Sequence, residues 1–198
     1  MSKLLVATRN KDKIIEFKRF LRPYDVVVVS PDELNIEGEP PEDGETFAEN
    51  SLLKANFYWQ RSQLPTLADD TGLEVDALGG RPGVHSKRDG RRILSDSEQR
   101  QRVLKELEEV PEDKRTARIT TVVTLRVAVD RNFQAQASVE GLVRDSHLPS
   151  PTGLPYRPIL WLPQLKKYYA EVTDDEHEQI NARKKAIEQL EPYLRQFL

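Results

Sequence analysis

Apolar and polar positions recur in two rhythms along this chain, and the switches between them mark out its elements. Lys3–Ala7 is a short, nearly continuous apolar run of the length of a buried strand. A polar turn, Thr8–Asp12, follows, and then Ile14, Phe17 and Leu21 fall on one helical face. Val26–Val29 predicts a second strand, and the acidic, Pro-rich stretch from Asp32 to Glu45 predicts a loop. Thr46-Phe47-Ala48-Glu49 is a capping-box pattern, in which each side chain takes a backbone N–H that a helix start leaves unpaired. The helix it opens is expected to turn Ala48, Leu52, Ala55 and Trp59 to one face.

Leu67-Ala68 predicts a short strand ending at Asp69-Asp70, and alternating Leu73, Val75 and Ala77 predict another, with Gly79–Gly90 as a loop. Ser95 with Glu98 starts a helix that carries Val103, Leu104 and Leu107. The period then changes. Ile119–Val129 and Phe133–Val143 read as two long strands joined by a turn at Asp130-Arg131-Asn132. Pro149–Pro163 reads as a loop, and Thr173 with Glu176 caps a last helix with Ile180, Ile187 and Leu190 on its apolar face. Strands alternating with helices around a long hairpin predict a mixed α/β fold. No repeat or low-complexity segment divides the 198 residues, a length suited to one domain over 1–198, or to two lobes within it.

Composition removes several classes. Without cysteine there is no disulfide, thiolate metal site or cysteine nucleophile, and a reducing cytoplasm is permitted. A net charge of −3 argues against a general nucleic-acid binder. No apolar run approaches the roughly 18–20 residues of a membrane span, and the N-terminus lacks the form of a signal peptide. The expectation is therefore a cytoplasmic protein with neither membrane nor nucleic acid as partner. The three histidines, His85, His147 and His177, show no metal-ligand spacing, and no Gly-x-Ser-x-Gly elbow is present.

Four segments could carry chemistry. Thr8-Arg9-Asn10-Lys11-Asp12-Lys13 joins a strand to a helix, where unpaired N–H groups and the helix dipole favour anions. Read alone, it is first an ordinary polar turn with a solvated lysine, because it is not a glycine-rich Walker loop. Asp69-Asp70-Thr71-Gly72 sets adjacent carboxylates on opposite sides of the backbone, so that one can bind Mg²⁺ while the other supports it. The same four residues also suit an Asx-type turn, with Gly72 allowing a tight exit. Glu42, Asp43 and Glu45 lie in the acidic loop ahead of Lys54, and Arg81, His85, Lys87, Arg88, Arg91 and Arg92 form a basic loop. Such charge runs are commonly solvated surface.

Taken in order, these pieces resemble the inosine triphosphate pyrophosphatase family of non-canonical purine NTP pyrophosphatases. The resemblance rests on Val6-Ala7-Thr8-Arg9-Asn10-Lys11-Asp12-Lys13 with Glu16-Phe17, on Gly44-Glu45-Thr46-Phe47-Ala48-Glu49-Asn50 with Lys54-Ala55, and on the unbroken run from Ala68 to Val84. It implies an elongated, two-lobed mixed-sheet α/β fold with a central cleft, a homodimer, and hydrolysis of (deoxy)nucleoside triphosphates to monophosphate and pyrophosphate. It also implies roles. Thr8, Arg9, Asn10 and Lys13 would bind the substrate, its phosphates above all, assisted by Lys54. Glu42 and Asp70 would hold Mg²⁺, Asp70 would activate water, Asp69 would support the metal site, and Thr71 would touch substrate.

The base-reading end departs from that family's pattern. Where the family has Gly-Phe-Gly-Tyr-Asp-Pro, this chain has Gly153-Leu154-Pro155-Tyr156-Arg157-Pro158. The family's Ser-His-Arg reads Asn181-Ala182-Arg183, and its upstream lysine falls on His177. Ser86-Lys87-Arg88-Asp89 replaces Ser-Ala-Arg-Tyr, one residue short before Gly90. Tyr156, Arg157, His177 and Arg183 are then the candidates for the base. Losing a stacking ring costs on the order of 1–3 kcal/mol, and lost hydrogen bonds to a purine keto group weaken discrimination further. Hydrolysis with relaxed or changed base selectivity is the expectation. Two other classes fit the residues less fully: a catalytically weak nucleotide sensor or partner-binding protein, and a nucleic-acid module using Arg81–Arg92.

Overall fold

The computed structural model describes residues 2–86, 88–89, 92–149 and 154–198, with 88 and 89 described by their backbone. Lys87, Gly90, Arg91 and Gly153, named above, lie outside the described residues. In chain order the elements are β1 (Lys3–Val6), α1 (Lys11–Phe20), β2 (Val27–Val29), α2 (Phe47–Ser62), β3 (Thr66–Val75), β4 (Arg88–Asp89), β5 (Arg92–Ile93) and α3 (Asp96–Glu106). There follow β6 (Thr116–Ala128), β7 (Arg131–Val143), β8 (Leu160–Leu162), β9 (Lys167–Tyr168), α4 (Asp174–Ile180), α5 (Ala182–Gln189) and α6 (Glu191–Phe197). Among the described residues one seven-stranded sheet has the order β2-β1-β3-β6-β7-β8-β9, and β4 pairs with β5 apart from it. β1 runs parallel to both β2 and β3, whereas β7, β8 and β9 pair antiparallel, so the sheet is mixed. The mixed α/β expectation holds.

The chain divides into two compact units, the first made of residues 1–70, 121–137 and 182–198, the second of 71–120 and 138–181. In the first unit strand alternation builds two cores. Leu4, Val6, Leu67, Val123 and Leu125 pack with Phe17 and Phe20 of α1, Ala186 and Ile187 of α5 and Leu194 of α6. Leu5, Ala7 and Ala68, the intervening positions, pack with Ala55 and Tyr58 of α2. Successive strand residues point to opposite faces, so this unit is a three-layer sandwich with α2 alone on one face. The second unit buries Leu73 and Val75, Val103 of α3 with Leu107 just after it, and Val139, Val143, Leu160 and Leu162 of the antiparallel strands.

Several expectations need correcting. Asp69-Asp70-Thr71-Gly72 is no turn: β3 runs unbroken from Thr66 to Val75 through it. Gly72 therefore makes no tight exit. Ala77 belongs to a short 3-10 turn after the strand. The capping box of α2 is present, but its buried residues are Phe47, Asn50, Ser51, Ala55 and Tyr58. The face is rotated because Ser51 and Asn50 find partners inside. The Ser51 hydroxyl lies 2.6 Å from that of Thr124, and polar burial is tolerated when so matched. The last helix is three helices. Thr173 caps α4 as expected, Asn181 leaves helical geometry at ψ 121°, and α6 begins at Glu191-Pro192. The loop before Pro163 contains β8.

Gly141 on β7 shows why a sheet position excludes a side chain. A Cβ there would stand 2.3 Å from the Trp161 carbonyl oxygen of β8. Gly141→Ala is expected to push these strands apart and lower stability by about 2 kcal/mol, read as a lower urea midpoint with an unchanged slope.

Candidate active site

β3 delivers the two carboxylates to different layers. Leu67 faces α1 and α5, Ala68 faces α2, and so the next two side chains, Asp69 and Asp70, follow suit. On the first side Asp69 Oδ2 accepts from Lys13 Nζ at 2.9 Å and from Arg183 Nη2 at 2.9 Å. Arg183 also pairs with Glu16 and lies over the Phe17 ring. Asp69 and Arg183 are almost fully buried, with side chains 2% and 3% exposed. Burial works against the Asp69 charge, yet Arg183, Lys13 and Lys54 outweigh it and hold the carboxyl well below the usual carboxylate range. Burial pushes the Lys13 ammonium below its ordinary value, opposed by Asp69.

On the other side Lys54 of α2 gathers acids. Its Nζ lies 2.7 Å from Asp70 Oδ1, 2.8 Å from Glu42 Oε1 and 3.3 Å from the Asp69 carbonyl oxygen. Burial opposes the charge of Lys54, but Asp70, Glu42 and Asp69 more than compensate and raise its pKa. Burial raises Asp70 from the ordinary value of an aspartate, against the pull of Lys54. The Asn50 carboxamide ties the site to its loop, accepting from the Gly44 N–H at 2.9 Å and donating to Asp70 Oδ2 at 3.4 Å. Gly44 has room only for hydrogen, since a Cβ would meet Asn50 Oδ1 and Glu49 Cβ at 2.8 Å.

The first unit thus brings together Lys13, Glu42, Lys54, Asp69 and Asp70. Thr8 adjoins them in sequence, its hydroxyl accepting from the Asn10 N–H at 3.2 Å. Asn10 is the N-cap of α1 and accepts from the N–H groups of Asp12 and Lys13. Arg9 turns towards the loop from Asp32 to Gly38, whose carbonyl oxygens take its N–H groups. Thr71 follows Asp70 on β3.

Arg183, expected beside the base, forms buried ion pairs with Asp69 and Glu16 in the first unit. The other base candidates fall in the second unit around Tyr169. Arg157 lies 4.9 Å over that ring, and the His177 ring stacks on it at 5.7 Å with Nε2 2.8 Å from the Asn181 amide. Tyr156 is buried, and burial pushes its phenol up to about 12. In the basic loop, Arg81 pairs with Glu106 and Arg92 with Glu98, as a solvated surface would.

Sequence reasoning assigned no role to Glu16, Asn50 or Tyr58. Their signal was present, because each is a polar group among buried helix neighbours. Such a group needs a partner, and hydrophobic periodicity does not name it.

A model of the Ham1 family matches residues 4–193 of the chain. A protein of Clostridium perfringens named dITP/XTP pyrophosphatase is 34% identical, with 100% of each chain covered. One of that name from Desulforamulus reducens is 38% identical over 93% of this chain and 92% of its own. The solved structure of the Staphylococcus aureus Ham1 protein matches with a TM-score of 0.84 at 30% identity, covering 98% of this chain and 99% of that one. A HAM1 protein from Coxiella burnetii matches with a TM-score of 0.84 at 30% identity, covering 99% of this chain and 100% of its own.

Proposed function

The chain belongs to the Ham1 family, and we propose that it hydrolyses (deoxy)nucleoside triphosphates to the monophosphate and pyrophosphate, using Mg²⁺, with altered base selectivity. The observation that carries this reading is the convergence of Glu42 and Asp70 on Lys54 Nζ, at 2.8 and 2.7 Å. Two hard carboxylates meeting at one point fit Mg²⁺, which takes few protein ligands and completes its shell with water and substrate phosphates. Among the described residues no group of three or more His, Cys, Asp or Glu side chains gathers as a metal cage. Glu42 and Asp70 would hold the ion, and once bound it would supply charge neutralisation on the triphosphate.

The chain's own residues supply the rest. Lys13 and Thr8 bind phosphate oxygens, and Lys54 keeps Glu42 and Asp70 together while adding positive charge. Asp70 takes the proton of the attacking water. The water oxygen bonds to the α-phosphorus, the bond to the α–β bridging oxygen breaks, and pyrophosphate leaves. His177, Arg157 and Tyr156 read the base, with Arg157 favouring an additional acceptor or negative group. Relatives named dITP/XTP pyrophosphatase support inosine and xanthosine nucleotides as the starting substrate class. The proposal includes a homodimer. Among the described residues no helix is long and apolar enough to cross a membrane, and the cytoplasm is the compartment proposed.

Pyrophosphate release with Mg²⁺ across ITP, XTP, the common NTPs and dNTPs, and modified nucleotides tests this reading. Turnover that discriminates only weakly between ITP or XTP and ATP or GTP is the expected result. Strong preference for ITP and XTP removes the altered selectivity. Nucleotide binding without turnover replaces the enzyme with a sensor.

A further inference from the structure

The loop that carries Glu42 is held at both ends, and one of the holders lies far from it in sequence. Arg9, just beyond β1, spreads its guanidinium over the loop's first half. Nη2 donates to the Ile36 carbonyl at 2.6 Å, Nη1 to the Gly38 carbonyl at 2.9 Å, and Nε to Asp32 Oδ1 at 2.9 Å. Nη1 also donates to the Tyr58 hydroxyl at 3.0 Å, which ties the clasp to α2. The loop's second half is held by Asn50, which takes the Gly44 N–H, and by Glu49, which takes those of Glu45 and Thr46.

Asn50, Lys54 and Tyr58 stand at i, i+4 and i+8, so they form one stripe along α2. Tyr58 meets Arg9, Lys54 meets Glu42, and Asn50 meets Gly44. Between Gly38 and Glu42 the chain reads Glu39-Pro40-Pro41, and two prolines with fixed φ leave little slack. Gly38 itself has φ of +80°, and a Cβ built on it would stand 3.5 Å from the Phe57 ring, so the stiff segment starts from a defined point.

We infer that Arg9 is a positioning residue that sets Glu42 against Lys54 and Asp70 by clasping the loop, and that it does not bind the substrate. The inference rests on the nucleotide-hydrolysis reading above. A direct phosphate contact needs N–H groups aimed at the ligand, and four of the hydrogen bonds Arg9 makes run to the loop and α2. Lysine cannot replace it, because a point charge lacks the planar fork that serves several acceptors at once.

A double-mutant cycle with hydrogen exchange tests it. Arg9→Ala is expected to speed amide exchange between Asn35 and Glu45 in the nucleotide-free protein. It is expected to lower kcat/KM about tenfold, the scale of a modest misplacement at the reacting centre. In a Glu42→Gln background, Arg9→Ala is expected to cost less than about twofold more, since residues acting through one another are not additive. Arg9→Lys is expected to exchange like Arg9→Ala. Unchanged exchange in the loop overturns the clasp. Equal losses in both backgrounds, carried by a raised KM, assign Arg9 to the substrate instead. If the wild-type chain turns over no nucleotide, the enzyme reading falls, and exchange still decides whether Arg9 holds the loop.

Discussion

Asp69→Asn is expected to lower the unfolding free energy by about 3 kcal/mol, the cost of leaving buried cations without their counter-ion. Asp69 accepts from both Lys13 and Arg183; Arg183, 3% exposed, has almost no solvent to fall back on, and Lys13, 17% exposed, has little. Glu16 would still pair with Arg183, which keeps the loss at the lower end of the range. The pH dependence carries a definite sign. A carboxylate whose folded pKa lies below its unfolded value contributes stability that is complete above the unfolded value, near 4, and is lost as pH falls through the folded one. In metal-free protein the gap between wild type and Asp69→Asn should therefore be full at neutral pH and narrow below about pH 4. Urea titrations followed by tryptophan fluorescence at a series of pH values measure it. A gap that stays constant with pH would refute the assignment.

Asp70→Asn should do the reverse. Turnover is expected to fall about a thousandfold, since the substitution removes a metal ligand and the proton acceptor together. Stability should change little or rise slightly. Burial disfavours the Asp70 charge, which offsets the partner that Lys54 loses, and Lys54 keeps Glu42 at 2.8 Å. Active-site groups held in unfavourable states commonly show this trade of stability for activity. Pyrophosphate release beside a denaturation curve separates the two effects. Loss of stability matching that of Asp69→Asn would mean that the two carboxylates are not divided between structure and chemistry.

The parts of the fold that local chemistry dictates were legible from the residues. Three helix starts, at Thr46, Ser95 and Thr173, follow from a hydroxyl and a glutamate three residues on. The long hairpin of β6 and β7 follows from alternation. What could not be read is whatever distant partners decide. Asp-Asp-Thr-Gly has the composition of a turn, and it lies in mid-strand because cations from α1, α2 and α5 neutralise it. Nothing near Arg183 in sequence announces its ion pairs with Glu16 and Asp69. Nothing near Arg9 in sequence announces its acceptors either: Asp32, the Ile36 and Gly38 carbonyl groups and the Tyr58 hydroxyl. Lys13, Lys54, Glu42 and the aspartates lie in one unit, a grouping that the family resemblance implied and that no local pattern of residues announces.

One consequence of β3 concerns how this protein can change over generations. Parity along the strand decides which aspartate is locked among cations and which faces Glu42. A point substitution alters one of these neighbours at a time, and a later substitution can repair it. Inserting or deleting a single residue between Leu67 and Asp69 would exchange the two sides at once, handing Asp70 or Ala68 to Arg183. No single compensating change elsewhere restores both partners. The length of this segment should therefore be far less free to drift than the identity of the apolar residues within it.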